Sequence, residues 1–527
     1  MRRVPGNAAV QIAAIAALGL LLRRIGIGRS SFWNDEVVSI MWVRNSYHFL
    51  WTTGLLTDPT PPLYYSLLKA WLALTASESE IAARLLSALA STATIPMVFL
   101  LGREFMTPRA AVIAALLFAL DPMQIFFAQE ARCYAFIPLF LSIMLLGLVR
   151  YARRPEPDGR ALSLYALGSI LLLYTHATGV VAWAAFNAGF LLHWARTRHG
   201  VRRQRRYLGQ WLLASLLVLL VNAPCILAGL HRHDGVAWIE KPRMIPMLGV
   251  FASFMIDPET PQILFRLCCL LMLVLCGLLL LALWRCRLGG LVQDFLILPP
   301  VLFLAVAILG SFFKPFLLPR VTIWIPLQIC LLAAIALQPH GARLRTARRT
   351  ISGRMLPPAL IGSVVVALAL GWQGVYVRQA RIKEDWRGLT GILSGASGRA
   401  DEFVVGPTTN PMPLNLYGAR NDGRPYGTSL MPMLRWAPKR VATMLWLPPD
   451  IPELRHIDTA RLVQDFRRGL PVWLVLNQRD WAEFGPQIRA MLPKGETAGL
   501  TERHYPGLEL IGATVTLADM PAPVRRP

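Results

Sequence analysis

The sequence predicts an α-helical polytopic membrane protein with about eleven transmembrane helices, followed by a small extracytoplasmic α/β domain. Three observations carry that reading. Of 527 residues, 55% are hydrophobic and only 16% charged, more apolar side chain than a soluble domain of this length needs. The apolar residues gather in runs of roughly 15–23, long enough to cross a hydrocarbon core of ~30 Å as helices. From about residue 380 the character changes: charged residues return and the apolar runs shorten.

The spans fall near 7–23, 82–102, 109–124, 133–150, 161–176, 178–195, 209–230, 263–284, 292–312, 318–337 and 356–376. Helices are required because backbone in lipid must satisfy its hydrogen bonds internally. The pairs around Asp121–Arg132 and Thr175–Gly179 have very short connections. Arg2 and Arg3 precede the first run, but no small-residue cleavage site leads into a polar sequence, so this run is expected to be a retained helix.

The net charge of +24 does not describe a nucleic-acid-binding face, because the arginines sit in short loops between apolar runs. Alternate loops (Arg103–Pro108, Tyr151–Arg160, Arg196–Tyr207, Arg285–Gly290 and Gln338–Arg354) hold the strongest clusters, including Arg202, Arg203, Arg205 and Arg206. Positive charge marks the cytoplasmic side. Residues 26–80 and 380–527 are then expected to face outward, with Arg23 and Arg24 as the one discordant signal. Segment 26–80, with Trp33, Trp42, Trp51 and Trp71, reads as interfacial amphipathic helices. The predicted organisation is a membrane module over 1–379, an α/β domain over 380–520 and a disordered tail over 521–527. Runs 403–405 and 472–476 read as buried strands and 479–492 as a helix.

The seven cysteines (Cys133, Cys225, Cys268, Cys269, Cys276, Cys286 and Cys330) lie in or beside apolar runs without a CxxC pair, so neither a zinc site nor a disulfide framework is expected.

Five motifs hold the chemistry-bearing residues. The first outward loop opens with SFWNDEVVSI, placing Asp35 and Glu36 just beyond the first span. DPTPPLYYSLLKAWL follows: Asp58 leads into a turn stiffened by Pro59, Pro61 and Pro62, then an aromatic helix with Tyr64 and Tyr65 that also holds Lys69. FFAQEARCYAF puts Glu130, Arg132 and Tyr134 at membrane depth or just above it, where ionisable groups are costly and commonly functional. YTHATG sets His176 between two spans, and SFFKPFLLPRVTIW puts Lys314 and Arg320 at the outer end of another. Each has a bland alternative: a helix start for the carboxylates, a helix-end ion pair for Glu130 and Arg132, a satisfied turn histidine, and interfacial snorkelling for Lys314 and Arg320.

Taken in order, WNDE, DPTPPLYY, AQEARCY and YTHATG resemble the GT-C membrane glycosyltransferases of the protein O-mannosyltransferase and aminoarabinose-transferase group. The likeness spans residues 30–180. It implies a polyprenyl-phosphate-linked sugar donor, an inverting transfer, and a catalytic carboxylate in the first outward loop, here Asp35 with Glu36 in support. Asp58, Tyr64, Lys69, Glu130, Arg132, Tyr134, His176, Lys314 and Arg320 are the candidate substrate-binding residues. Many relatives have a histidine before the paired prolines, where Thr60 stands in this chain.

The residue chemistry agrees. Sugar transfer from a lipid phosphate needs a base for the acceptor hydroxyl and cations for the departing phosphate. Neither a cofactor nor a metal is indicated. No Gly-rich phosphate loop appears, which argues against a cytoplasmic nucleotide-sugar donor. The competing class is a transporter or lipid flippase, which often shows internal repeats and helices broken at midplane. No repeat is evident between the halves. The acceptor stays open between lipid, glycan and protein, and the membrane is expected to be the bacterial cytoplasmic one.

Overall fold

The computed structural model describes residues 6–58, 60–154, 156–197, 201–231, 288–313, 317–337, 385–390, the strands given below, and isolated positions such as 371–372, 375–376 and 416–417. The chain divides into two compact units, one of residues 1–27 and 45–378, the other of residues 28–44 and 379–527.

The first unit is helical. Its helices are α1 (Gly6–Arg24), the short α3 (Tyr47–Trp51) and α4 (Thr53–Thr57), α5 (Pro62–Thr75), α6 (Glu80–Gly102), α7 (Pro108–Leu120), α8 (Pro122–Ala128), α9 (Phe136–Arg153), α10 (Gly159–Leu173), α11 (Gly179–Thr197) and α12 (Val201–His231). Two more follow, α13 (Gly290–Phe313) and α14 (Ile325–Ala336); α2 belongs to the second unit. Among the described residues, five helices are long and apolar enough to cross a membrane, or six when the bent pair α7–α8 counts as one span. The protein is thus an integral membrane protein. Nine of the eleven expected spans coincide with described helices, and the runs at 263–284 and 356–376 lie mostly outside the described residues.

Local sequence explains the boundaries. Ser79 and Thr107 cap α6 and α7 by accepting from the backbone N–H groups of Ala82 and Ala110. Asp158 does the same for α10. Two expected spans are shorter than predicted. Helix α10 ends at Leu173, before the Thr-His-Ala-Thr turn, and α14 begins only at Ile325, after a 3-10 turn over Pro319–Thr322. At 15 and 12 residues, with ~1.5 Å rise per residue, neither alone covers ~30 Å.

The run at 109–124 is not one straight span either. It bends by 53° at Asp121, where Pro122 opens α8 and the Asp121 carboxylate caps it through Gln124 N–H. The segment 121–132 is therefore mostly helix rather than loop.

Helix α6 packs against α1, α5, α7, α8 and α9. Helices α9 and α10 approach almost backbone to backbone: a Cβ on Gly147 would lie 2.3 Å from Tyr165 N, and one on Gly168 2.3 Å from Met144 N. Small residues at such seams are how membrane helices gain contact without a hydrophobic driving force. At the opposite end from the site described below, α11 meets α13 at a π-helical turn over Gln293–Ile297. There the buried Asp294 accepts from Arg196 Nη1 at 2.6 Å and His193 Nδ1 at 3.0 Å. Among the described residues, Cys133, Cys225 and Cys330 are buried and form no disulfide.

The second unit contains α2 (Asn34–Arg44) and a six-stranded mixed sheet in the order β3-β2-β1-β4-β6-β5. The strands are β1 (Glu402–Val405), β2 (Thr428–Leu430), β3 (Arg455–His456), β4 (Val472–Asn477), β5 (Leu500–Tyr505) and β6 (Leu508–Ala513). Strands β1 to β4 run parallel, and β6 pairs antiparallel with both β4 and β5. The two predicted strands are β1 and β4. The helix expected at 479–492 lies outside the described residues, as does the tail. Residues 28–32 are laced to later chain: Ser31 Oγ bonds Asp385 and receives Arg387 N–H, and Phe32 N–H donates to Tyr417 Oη at 2.7 Å.

Candidate active site

Each unit carries part of the expected site. In the second unit, Trp33 precedes the first turn of α2, Asp35 is its second residue and Glu36 its third. Glu36 is fully buried, and its Oε2 accepts from the backbone N–H of Trp33 at 3.3 Å. A third-position glutamate reaching back in this way satisfies an N–H group that the helix itself leaves open. Glu36 is therefore a helix-start residue in its geometry. Asp35 is half-buried in the first turn of α2.

In the first unit, a polar cluster forms where the DPTPP turn meets the segment after α8. Asp58 is buried, and its Oδ1 accepts from Thr60 N–H at 2.6 Å while Oδ2 accepts from Tyr65 Oη at 3.2 Å. Proline at the start of α5 fixes the turn, and the aspartate closes it on itself. Arg132, also buried, donates through Nη1 to Tyr65 Oη and through Nη2 to Thr60 Oγ1, both at 3.2 Å. The Arg132 carbonyl in turn accepts from Ser87 of α6 at 3.1 Å. Burial pushes the Asp58 carboxyl above the usual carboxylate range, while Arg132 and the Thr60 N–H oppose that shift.

Tyr134 joins this cluster to two further motifs. The Arg132 guanidinium lies 5.7 Å from its ring centroid and the Arg320 guanidinium 5.9 Å, so two cations share one aromatic face or edge. Its ring also lies 6.1 Å from that of His176 and 5.2 Å from that of Phe127. His176 is held by Thr178, whose hydroxyl lies 2.7 Å from Nδ1. Burial, then Arg320 and Arg132, pulls the His176 imidazole down to about 3, so it is neutral near pH 7.

The structure thus brings together Asp58, Arg132, Tyr134, His176 and Arg320 from the predicted set. Glu130 is buried two residues before Arg132. Lys69 stands on α5 with its ammonium 5.7 Å from the Tyr47 ring. Tyr64 is buried too, but packs its ring edge-on against Phe136. Lys314 lies outside the described residues. Tyr65 and Thr60, both visible in the motif, were not among the predicted site residues. Adjacent tyrosines point about 100° apart on a helix, and the YY pair alone does not say which turns back to Asp58. Thr60, noted only as standing in place of a histidine, takes a hydrogen bond from Arg132. Among the described residues, no three His, Cys, Asp or Glu side chains converge as metal ligands do.

Comparison with known proteins gives this arrangement a context. Residues 59–227, which contain Thr60, Tyr65, Arg132, Tyr134 and His176, match the family model described as dolichyl-phosphate-mannose-protein mannosyltransferase. The crystal structure of ArnT from Cupriavidus metallidurans bound to undecaprenyl phosphate superposes with a TM-score of 0.56 over 97% of this chain and 99% of that one, at 12% identity. The apo state of the same protein gives 0.56 over the same shares at 13% identity. The fold is that of the GT-C glycosyltransferases. No protein of curated function matches by sequence. Within the GT-C fold, the family match covers about a third of the chain, the part that holds the arginine–tyrosine cluster apart from Arg320.

Proposed function

We propose that this protein transfers a sugar from a polyprenyl-phosphate-linked donor to an acceptor at the outer face of a bacterial cytoplasmic membrane. The observation that carries the proposal is the pairing of Arg132 and Arg320 about the Tyr134 ring, in a fold shared with a protein crystallised with undecaprenyl phosphate. The basic loops at the ends of alternate helices support the orientation.

In this reading, Asp35 takes the proton of the acceptor hydroxyl as its oxygen attacks the anomeric carbon. The bond from that carbon to the phosphate oxygen breaks with inversion, and polyprenyl phosphate leaves. Negative charge grows on the phosphate, and cations fixed in advance stabilise it without reorganising. Arg132 and Arg320 fill that role, with Lys69 and Lys314 as further cations. A guanidinium engages phosphate through two parallel bonds, which suits Arg132, whose plane is set by Thr60 and Tyr65. Tyr134 and the neutral His176 line the sugar, with Glu130 and Tyr64 beside them. Glu36 supports Asp35 by closing the first turn of α2. Residues 380–520 form the acceptor-facing α/β domain of the proposal.

Mass spectrometry of surface glycans and lipids, from cells with and without the protein, tests it. Loss of one glycosylated species supports the proposal and names the acceptor. Identical profiles when the protein is demonstrably abundant contradict it.

A further inference from the structure

Arg23 stands at the predicted outer end of α1, where a cation runs against the charge rule. The structure shows that it is not a surface charge. Arg23 is fully buried, with Nε donating to Ser91 Oγ at 2.8 Å and Nη1 donating to the carbonyls of Gly19 and Ala119 at 3.0 Å each. Ala119 is the penultimate residue of α7, just before the 53° break at Asp121. A helix broken in a membrane leaves carbonyls that only protein groups can satisfy. Here Arg23 takes Ala119 O, and the indole of Trp372 takes Leu120 O at 2.9 Å.

The other end of α8 is tied to the same residue. Gln129, its C-cap, donates through Nε2 to Arg23 O at 3.1 Å and Ile25 O at 2.7 Å. Between the two ends, Ser91 Oγ donates onward to Gln124 O at 3.5 Å, and Gln124 Nε2 donates to Ile323 O at 2.7 Å. Arg132 follows Gln129 by three residues, and Arg320 precedes Ile323 by three.

We infer that Arg23 is a positioning residue for the proposed donor-phosphate site: through α8 and its two glutamines it fixes the spacing of Arg132 and Arg320. The inference rests on the reading of those two arginines as phosphate ligands. Arg23 itself touches neither of them. Its side chain sets where α8 starts, and its carbonyl sets where α8 ends. A hydrophobic residue at this position frees the Ala119 carbonyl and lets the break relax, so both arginines drift together from their places around Tyr134.

The test measures affinity for a polyprenyl monophosphate, using the full chain in lipid nanodiscs and normalising to folded protein by thermal unfolding. Arg23→Gln and Gln129→Met are each expected to weaken binding on the order of tenfold, the worth of a hydrogen bond at a charged group. Gln129→Met changes no charge, which keeps the test valid where Arg23→Gln fails to accumulate. Arg23→Lys, which still reaches one carbonyl, is expected to recover part of the loss. Combined with Arg132→Lys, either variant is expected to cost less than the sum of the two single losses, since both act through one group. A merely structural role lowers the melting temperature and leaves the normalised affinity unchanged; that result, or additive losses, overturns the inference. If Arg132→Lys and Arg320→Lys themselves bind like wild type, the donor-site reading fails, and the role assigned to Arg23 falls with it.

Discussion

Replacing Arg132 by lysine keeps the charge and removes the fork. Arg132 donates to two separate oxygens, Tyr65 Oη and Thr60 Oγ1, and its charge opposes the burial of Asp58. A lysine ammonium on its flexible stem reaches one of those oxygens at a time. One hydrogen bond at a charged group is then lost, worth about 1.5–3 kcal/mol. The same figure applies to one arm of a bidentate phosphate contact, which converts to roughly 10–150-fold in donor affinity. The fold persists because Asp58 keeps a cation beside it. Arg132→Met removes that cation, and a buried carboxylate stripped of its partner costs roughly 3–5 kcal/mol. The methionine variant is therefore expected to accumulate poorly and the lysine variant normally. The assay is equilibrium binding of polyprenyl phosphate to each folded variant, with melting temperature alongside. Unchanged affinity in a normally folded Arg132→Lys protein refutes the reasoning and makes Arg132 an internal brace for Asp58 alone.

Four further outcomes follow from the structure. Asp35→Asn is expected to insert and bind donor but to lose turnover by roughly 10²–10⁴-fold, the usual worth of a positioned general base; near-full turnover at normal abundance moves the base elsewhere. Glu36→Ala is expected to act differently, lowering stability by about 1 kcal/mol through the lost cap, so its melting temperature drops while turnover per folded molecule falls less than in Asp35→Asn. His176 has its pKa depressed, so its contribution to stability is present above about pH 6.5 and is lost as pH falls toward 3; thermal unfolding across that window is expected to show an acid limb that His176→Asn reduces, and an unchanged limb assigns it to other groups. Gly189→Ala places a Cβ 2.1 Å from the Asp294 carbonyl oxygen, so α11 and α13 must separate; a loss of about 1–3 kcal/mol is expected, and an unaltered melting temperature shows that the seam is looser than described.

The helical scaffold was legible because hydropathy is set by the solvent: lipid demands long apolar runs, and nine of the eleven appear as helices. What escaped was decided by side-chain geometry. The break between α7 and α8 had a local signal, Asp121 followed by Pro122, since the residue before proline leaves helical space. That signal was absorbed into a continuous apolar run. The choice of Tyr65 over Tyr64 depends on how α5 is rotated, which a sequence does not state. Arg23 looked like a topology signal, and only its bonds to Ser91 and Ala119 show it spent inside the bundle. Glu36 read as a second carboxylate beside Asp35, whereas its third-position spacing after Trp33 already contained the capping geometry.

Transfer of a radiolabelled sugar by the purified full chain in nanodiscs tests the central claim most directly. The donor is a polyprenyl-phosphate sugar, and membrane lipids and glycans from cells lacking the protein serve as acceptor. The account predicts label in an acceptor with stoichiometric release of polyprenyl phosphate, little transfer by Asp35→Asn, and none from a nucleotide-sugar donor. Transfer from the nucleotide sugar alone, or equal transfer by wild type and Asp35→Asn, contradicts it.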